Sequence, residues 1–123
     1  MNGDSIVLDT SLIINLFNGN INVQQLITGR SLFISIISEI EVLSFPNITP
    51  KDKSLLKDFL FECYIIDIES AIKDITIEIR SKYKVKLPDT IIAATAMYFD
   101  MPLFTMDKGF SRITDLQAVI LSV

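Results

Sequence analysis

The chain has 123 residues, a formal net charge of −4, no histidine and one cysteine, which excludes an intrachain disulfide and any nucleophile that depends on imidazole. Half the residues are apolar, yet no apolar run approaches the ~20 residues of a membrane span. A single soluble domain over residues 1–123 is expected, long enough to bury about 65–70% of its unfolded surface in one core.

The N-terminus MNGDSIVLD carries an acid where a secretory leader carries basic residues, so a cytoplasmic address is expected. Residues 5–8 form a short apolar run that suits a buried strand. A helix over 10–17 follows, with Leu12, Ile13 and Leu16 at helical spacing. Asn18-Gly19-Asn20 ends it, and a second short helix is read over 23–27 before Gly29. Residues 32–36 read as a second strand and 37–45 as a helix stopped by Pro46.

Pro50-Lys51-Asp52 opens an amphipathic helix through Leu55, Leu56, Phe59 and Leu60. In FLFECYII, the lone Cys63 reads as a packed residue. Residues 64–68 are the third strand and 70–83 a long helix with Ile72, Ile75, Ile79 and Tyr83 on one face. Another helix starts at Leu87 or Pro88, where a proline costs nothing, and runs through AATA to Phe99. A short strand at 103–105, a segment at 107–113 and a last strand at 118–121 complete the chain.

Apolar strands alternating with helices predict an α/β domain, with a parallel sheet covered on both faces. Ligands of such sheets bind beyond the carboxyl ends of the strands. Four acids fall where a strand-like run gives way to a helix-like one: Asp9 after SIVL, Glu41 after LFISIIS, Asp89 after KVKLP and Asp107 after PLFTM. Each has a bland explanation. Asp9 and Asp107 suit helix N-caps, Ser38 and Glu41 have capping-box spacing, and Asp89 suits the positive end of a helix dipole. Jointly these are weaker, because Ser, Thr or Asn caps as well, yet every site is an acid. Glu39 and Glu41 lie about 200° apart on a helix, so only one can face the crevice.

A cluster of like charges requires a cation, and carboxylates without nitrogen or thiolate ligands suit Mg²⁺ or Mn²⁺ rather than zinc. Asp9, Asp89 and Asp107 are assigned as metal ligands, with Glu41 a ligand or a base that orients the attacking water. Thr105 lies two residues before Asp107 on the same side of its strand, and it reads equally as a site residue or as an ordinary strand threonine. The net charge offers no general attraction for a polyanion. Locally, Lys82, Lys84 and Lys86 lead into Asp89, while Lys108 and Arg112 flank Asp107, and these five are candidate substrate-phosphate contacts.

The segments IVLDTSLIINL, SIISEIEVL and LPDTIIAATAMYFDMPLFTMDKGF resemble the motifs of the PIN domain family, in particular its small VapC-type ribonuclease toxins. The resemblance runs from Asp9 to Phe110. It implies a three-layer α/β/α sandwich with a mainly parallel sheet of about five strands. It also implies a metal site at Asp9, Glu41, Asp89 and Asp107, with Thr10 or Ser11 and Thr105 as supporting hydroxyls.

The departures are Met106, where the family often has a polar residue, and Glu39 and Ile40, where it often has Leu or Ala. By this resemblance the expected function is Mg²⁺- or Mn²⁺-dependent endoribonucleolytic cleavage by a toxin. Its partners would be RNA, a small antitoxin and a second copy of the chain. The last also accounts for the high apolar fraction.

The alternatives are an interaction module on the same fold, or a nuclease of another process without an antitoxin. An aspartyl phosphatase of the haloacid dehalogenase type wants a second aspartate where Ser11 stands, and a receiver domain wants paired acids at the first strand's end.

Overall fold

Ser5–Leu8 is a strand, β1, with every residue buried, because it lies in the middle of the sheet and presents side chains to both faces. Ile6 and Leu8 point into one core and Val7 into the other, the alternation that a strand period of two imposes. In the computed structural model, which describes residues 4–122, the chain continues through α1 (Thr10–Phe17), α2 (Ile21–Ile27), β2 (Ser31–Ser35), α3 (Ile36–Leu43), α4 (Pro50–Phe61), β3 (Tyr64–Ile66), α5 (Ser70–Lys82), α6 (Leu87–Phe99), β4 (Leu103–Thr105), a 3₁₀ turn (Lys108–Arg112) and β5 (Ala118–Ile120). The part of the N-terminal reading that rests on Met1–Gly3, and Val123, lie outside the described residues.

All four strand pairings are parallel, in the order β3-β2-β1-β4-β5. The chain steps outward from β1 to β2 to β3, then crosses back to β4 on the other side of β1. Parallel crossovers keep one hand, so this reversal sends the helices to the opposite face. Residues of α1–α4 accordingly pack with Ile6, Leu8, Ile34 and Phe104, whereas α5 and α6 pack with Val7 and Leu103. In α6, Ala93, Ala94 and Ala96 are fully buried, and their small side chains let the helix lie close on the sheet. The expected three-layer sandwich is thereby observed. Among the described residues no helix is long and apolar enough to cross a membrane.

Several boundaries differ from those expected. α2 begins at Ile21 rather than 23, because the Asn20 side chain accepts from the Asn22 and Val23 amides. α3 begins at Ile36, because Ser35 Oγ accepts from Ile37 N at 3.1 Å; strand β2 stops one residue earlier, and the helix ends at Leu43. β3 ends at Ile66 and β5 at Ile120; both are edge strands of three residues, which leaves little free edge to pair with another chain. Residues 84–86 are not a strand, but a link between α5 and α6.

Candidate functional site

Because β1 and β4 are neighbours at the point where strand order reverses, their carboxyl ends open a crevice between oppositely directed connections. Asp9 follows β1, its amide donating to Phe104 O at 3.0 Å, and Asp107 follows β4. Asp89 stands in the first turn of α6. Two acids depart from the junction pattern: Asp89 follows a helix–helix link rather than a strand, and Glu41 lies in the second turn of α3.

Two of the four capping explanations fail on geometry. Asp9 occupies the N-cap position of α1 but makes no side-chain cap bond. Its carboxylate, only 4% exposed, accepts at Oδ2 from Thr105 Oγ1 at 2.7 Å and Ser11 Oγ at 2.8 Å. Ser38 and Glu41 are no capping box, because the helix starts before either of them and is capped by Ser35. Glu41 Oε1 accepts from Thr10 Oγ1 at 2.6 Å, and Thr10 Oγ1 lies 3.0 Å from Ser38 Oγ.

For Asp89, a helix N-terminus alone would favour the ionised form. Instead its carboxyl is held above the ordinary range, first by burial and then by the Asp9, Asp107 and Glu41 charges, against a smaller pull from Lys86. Only Asp107 behaves as a cap, accepting from Gly109 N at 2.8 Å. A Cβ at Gly109 would lie 3.1 Å from Asp107 Oδ1, so the carboxylate would have to give by a few tenths of an ångström to admit it.

Hydroxyls bind these segments together. Thr105 Oγ1, fully buried, accepts from Asp107 N at 3.0 Å while donating to Asp9. Ser11 Oγ accepts from Met106 N at 3.2 Å while donating to Asp9. One carboxylate is thus held by groups from both sides of the β1–β4 junction. Ser38 went unrecognised as a site residue in the sequence; its spacing to Glu41 was the available signal, read there as capping. Glu39 faces elsewhere, into a depression with Lys57, Phe61 and Cys63.

Among the described residues no lysine or arginine forms an ion pair with any of the four acids. Nor do three or more acidic side chains there close on a point as a ready-made metal cage.

Of the five cations, Lys84, Lys86 and Arg112 line a cleft of about 250 Å³ together with Asp89 and Asp107. Lys82 instead pairs with Glu78 at 3.2 Å and lines a different depression, and Lys108, exposed, does not line the cleft. Cys63 is packed as expected: its Sγ donates to Phe59 O at 3.3 Å, and burial, with a smaller effect from Glu62, pushes the thiol up to about 11.

A family model described as PIN domain matches residues 6–116. A solved toxin-antitoxin complex from Klebsiella pneumoniae superposes with a TM-score of 0.81 at 30% identity, covering 93% of this chain and 95% of that one. VapBC2 from Rickettsia felis, bound to a DNA fragment from its promoter, gives 0.80 at 22% identity over 94% and 98%. FitAcB from Neisseria gonorrhoeae gives 0.78 at 22% over 92% and 95%. No match was found among curated proteins.

Proposed function

The chain belongs to the PIN domain family, and on that premise we propose that it is a Mg²⁺- or Mn²⁺-dependent endoribonuclease, the toxin of a toxin–antitoxin pair. The observation that carries this reading is that Asp89 and Asp107 line one cleft beside a buried Asp9 carboxylate held by Thr105 and Ser11, with no lysine or arginine among the described residues paired to any of the acids. Hard oxygen donors in that arrangement suit a divalent ion.

Asp9, Asp89 and Asp107 would hold the ion, with Glu41 a further ligand or the base that orients water. When bound, the ion supplies Lewis-acid polarisation of the phosphodiester and a more acidic water. The protein's own part is orientation. Thr105 and Ser11 fix the Asp9 carboxylate in one rotamer by occupying Oδ2. Thr10 does the same for Glu41, so that the carboxylates need not reorganise as charge develops on the phosphate.

An antitoxin partner is supported by the Klebsiella pneumoniae complex, at 30% identity, and by an apolar groove of about 320 Å³. The groove is lined by Ile13, Phe17, Val42, Phe45 and Leu56 among others, and by none of the four acids. A homodimer is supported by large apolar side chains left in solvent, Phe61 at 88% and Ile77 at 61%. RNA as the substrate follows the family resemblance, whereas a single domain over the whole chain is supported by its 123-residue length and a cytoplasmic address by its one unpaired cysteine.

The deciding experiment compares the wild-type protein with Asp9→Asn and Asp89→Asn on single-stranded and structured RNA, with and without EDTA. Cleavage that requires the ion and is lost in both variants supports the reading. Cleavage that ignores the chelator, or survives both substitutions, overturns it.

A further inference from the structure

We propose that Lys84, Lys86 and Arg112 form a wall that seats backbone phosphates of single-stranded RNA beside the scissile one, and that Arg112 positions Lys84 as well as contacting the substrate. This rests on the nuclease reading above and deepens it. A polyanion has no general reason to approach a chain of charge −4, and least of all to lay its phosphates against four carboxylates. Any productive track across the acids therefore needs local positive charge next to them. The cleft that Asp89 and Asp107 share with these three cations provides it.

The wall is built rather than incidental. Residues 83–86 carry no regular secondary structure, yet each is tied down. Tyr83 Oη and Thr114 Oγ1 are hydrogen-bonded at 2.8 Å, and Arg112 Nη1 donates to Lys84 O at 3.2 Å. Arg80 Nη1 donates to Val85 O at 3.3 Å, and Thr90 Oγ1 donates to Lys86 O at 2.7 Å.

Backbone anchoring of this kind leaves the lysine heads uncommitted, and neither forms an ion pair among the described residues. Arg112 has five N–H donors in a planar fork and spends one on Lys84 O, which leaves others to face the cleft. Lys82, three residues from Val85, supplies the contrast, since its charge is already spent on Glu78.

The test is fluorescence anisotropy of a labelled single-stranded RNA oligonucleotide in Mg²⁺, over a range of salt, in an Asp9→Asn background that blocks cleavage. Each phosphate contact on a single strand contributes about 0.7 to the slope of log affinity against log salt. Lys84→Ala with Lys86→Ala is expected to lower the slope by about 1.4, and Lys82→Ala to leave it unchanged. Arg112→Lys keeps the charge but loses the fork, so the slope stays near the parent's while affinity falls about tenfold.

Thermal melts establish that each variant is folded. An unchanged slope in the double-lysine variant overturns the wall, and parent-like affinity in Arg112→Lys overturns the positioning role. In either case RNA cleavage by the wild-type protein would leave the nuclease reading standing. Failure of the wild type to cleave would remove both.

Discussion

Thr10 Oγ1 donates to Glu41 Oε1 across 2.6 Å, a bond that joins the first turn of α1 to the second turn of α3. Thr10 follows Asp9 directly, so the bond ties the placement of one carboxylate to that of another. Thr10→Val removes it while keeping the side chain's shape. Hydrogen bonds to charged groups are worth about 1.5–3 kcal/mol, so kcat on RNA is expected to fall about 10- to 100-fold. Thr10→Ser should recover most of it. A Val variant with wild-type kcat would contradict this role.

Asp89 gives a pH-dependent test. Its carboxyl is raised above the ordinary 3.8 by burial and neighbouring acids, so in the metal-free protein ionising it costs more in the folded state than in the unfolded one. That cost is absent below about pH 3.8, grows as pH rises toward the folded value, and is constant above it. Asp89→Asn should therefore raise the melting temperature in EDTA at pH 7, with the gain fading as pH approaches 3.8. A lower melting temperature at pH 7 would indicate a purely structural acid.

Metal should act in the opposite direction. Mn²⁺ at 100 times its dissociation constant adds about 2.7 kcal/mol to the folded state, which in a chain of this size corresponds to about 10 °C in Tm. The increment is expected to vanish in Asp9→Asn and to depend on Mn²⁺ concentration. Differential scanning calorimetry across a Mn²⁺ titration measures it.

Gly109 is predicted to tolerate alanine poorly for activity but not for folding. The added Cβ would meet Asp107 Oδ1 at 3.1 Å and turn that carboxylate from its present direction. Stability should fall by about 1 kcal/mol at most, the worth of a cap, whereas Mn²⁺ affinity by calorimetry should drop about tenfold. Unchanged affinity would mean that Asp107 serves only as a cap.

Cys63 should be inert. With its thiol pushed up to about 11, little thiolate exists at pH 8. Labelling by a disulfide reagent should be slow until the protein is unfolded, and Cys63→Ala should leave RNA cleavage unchanged.

The local pattern by itself determined the alternation of buried strands with helices, and hence a covered parallel sheet. Apolar runs such as SIVL and PLFT cannot face water on either side. It also marked Asp9, Glu41, Asp89 and Asp107 as acids at apparent strand-to-helix junctions, of which Asp9 and Asp107 do follow strands, and it showed that Glu39 and Glu41 diverge, because helix geometry is local.

Only the tertiary structure decided which groups those acids bind. Asp9 and Ser38 looked equally suited to capping in sequence, and Asp107 no more so. Which hydroxyl reaches which carboxylate depends on the sheet order that sets β4 against β1 and α3 against α1. Thr105 and Asp9 are 96 residues apart, beyond the reach of any periodicity. The same holds for the cations: Lys82 and Lys84 are neighbours in the chain, yet the end of α5 turns one toward Glu78 and the other into the acidic cleft.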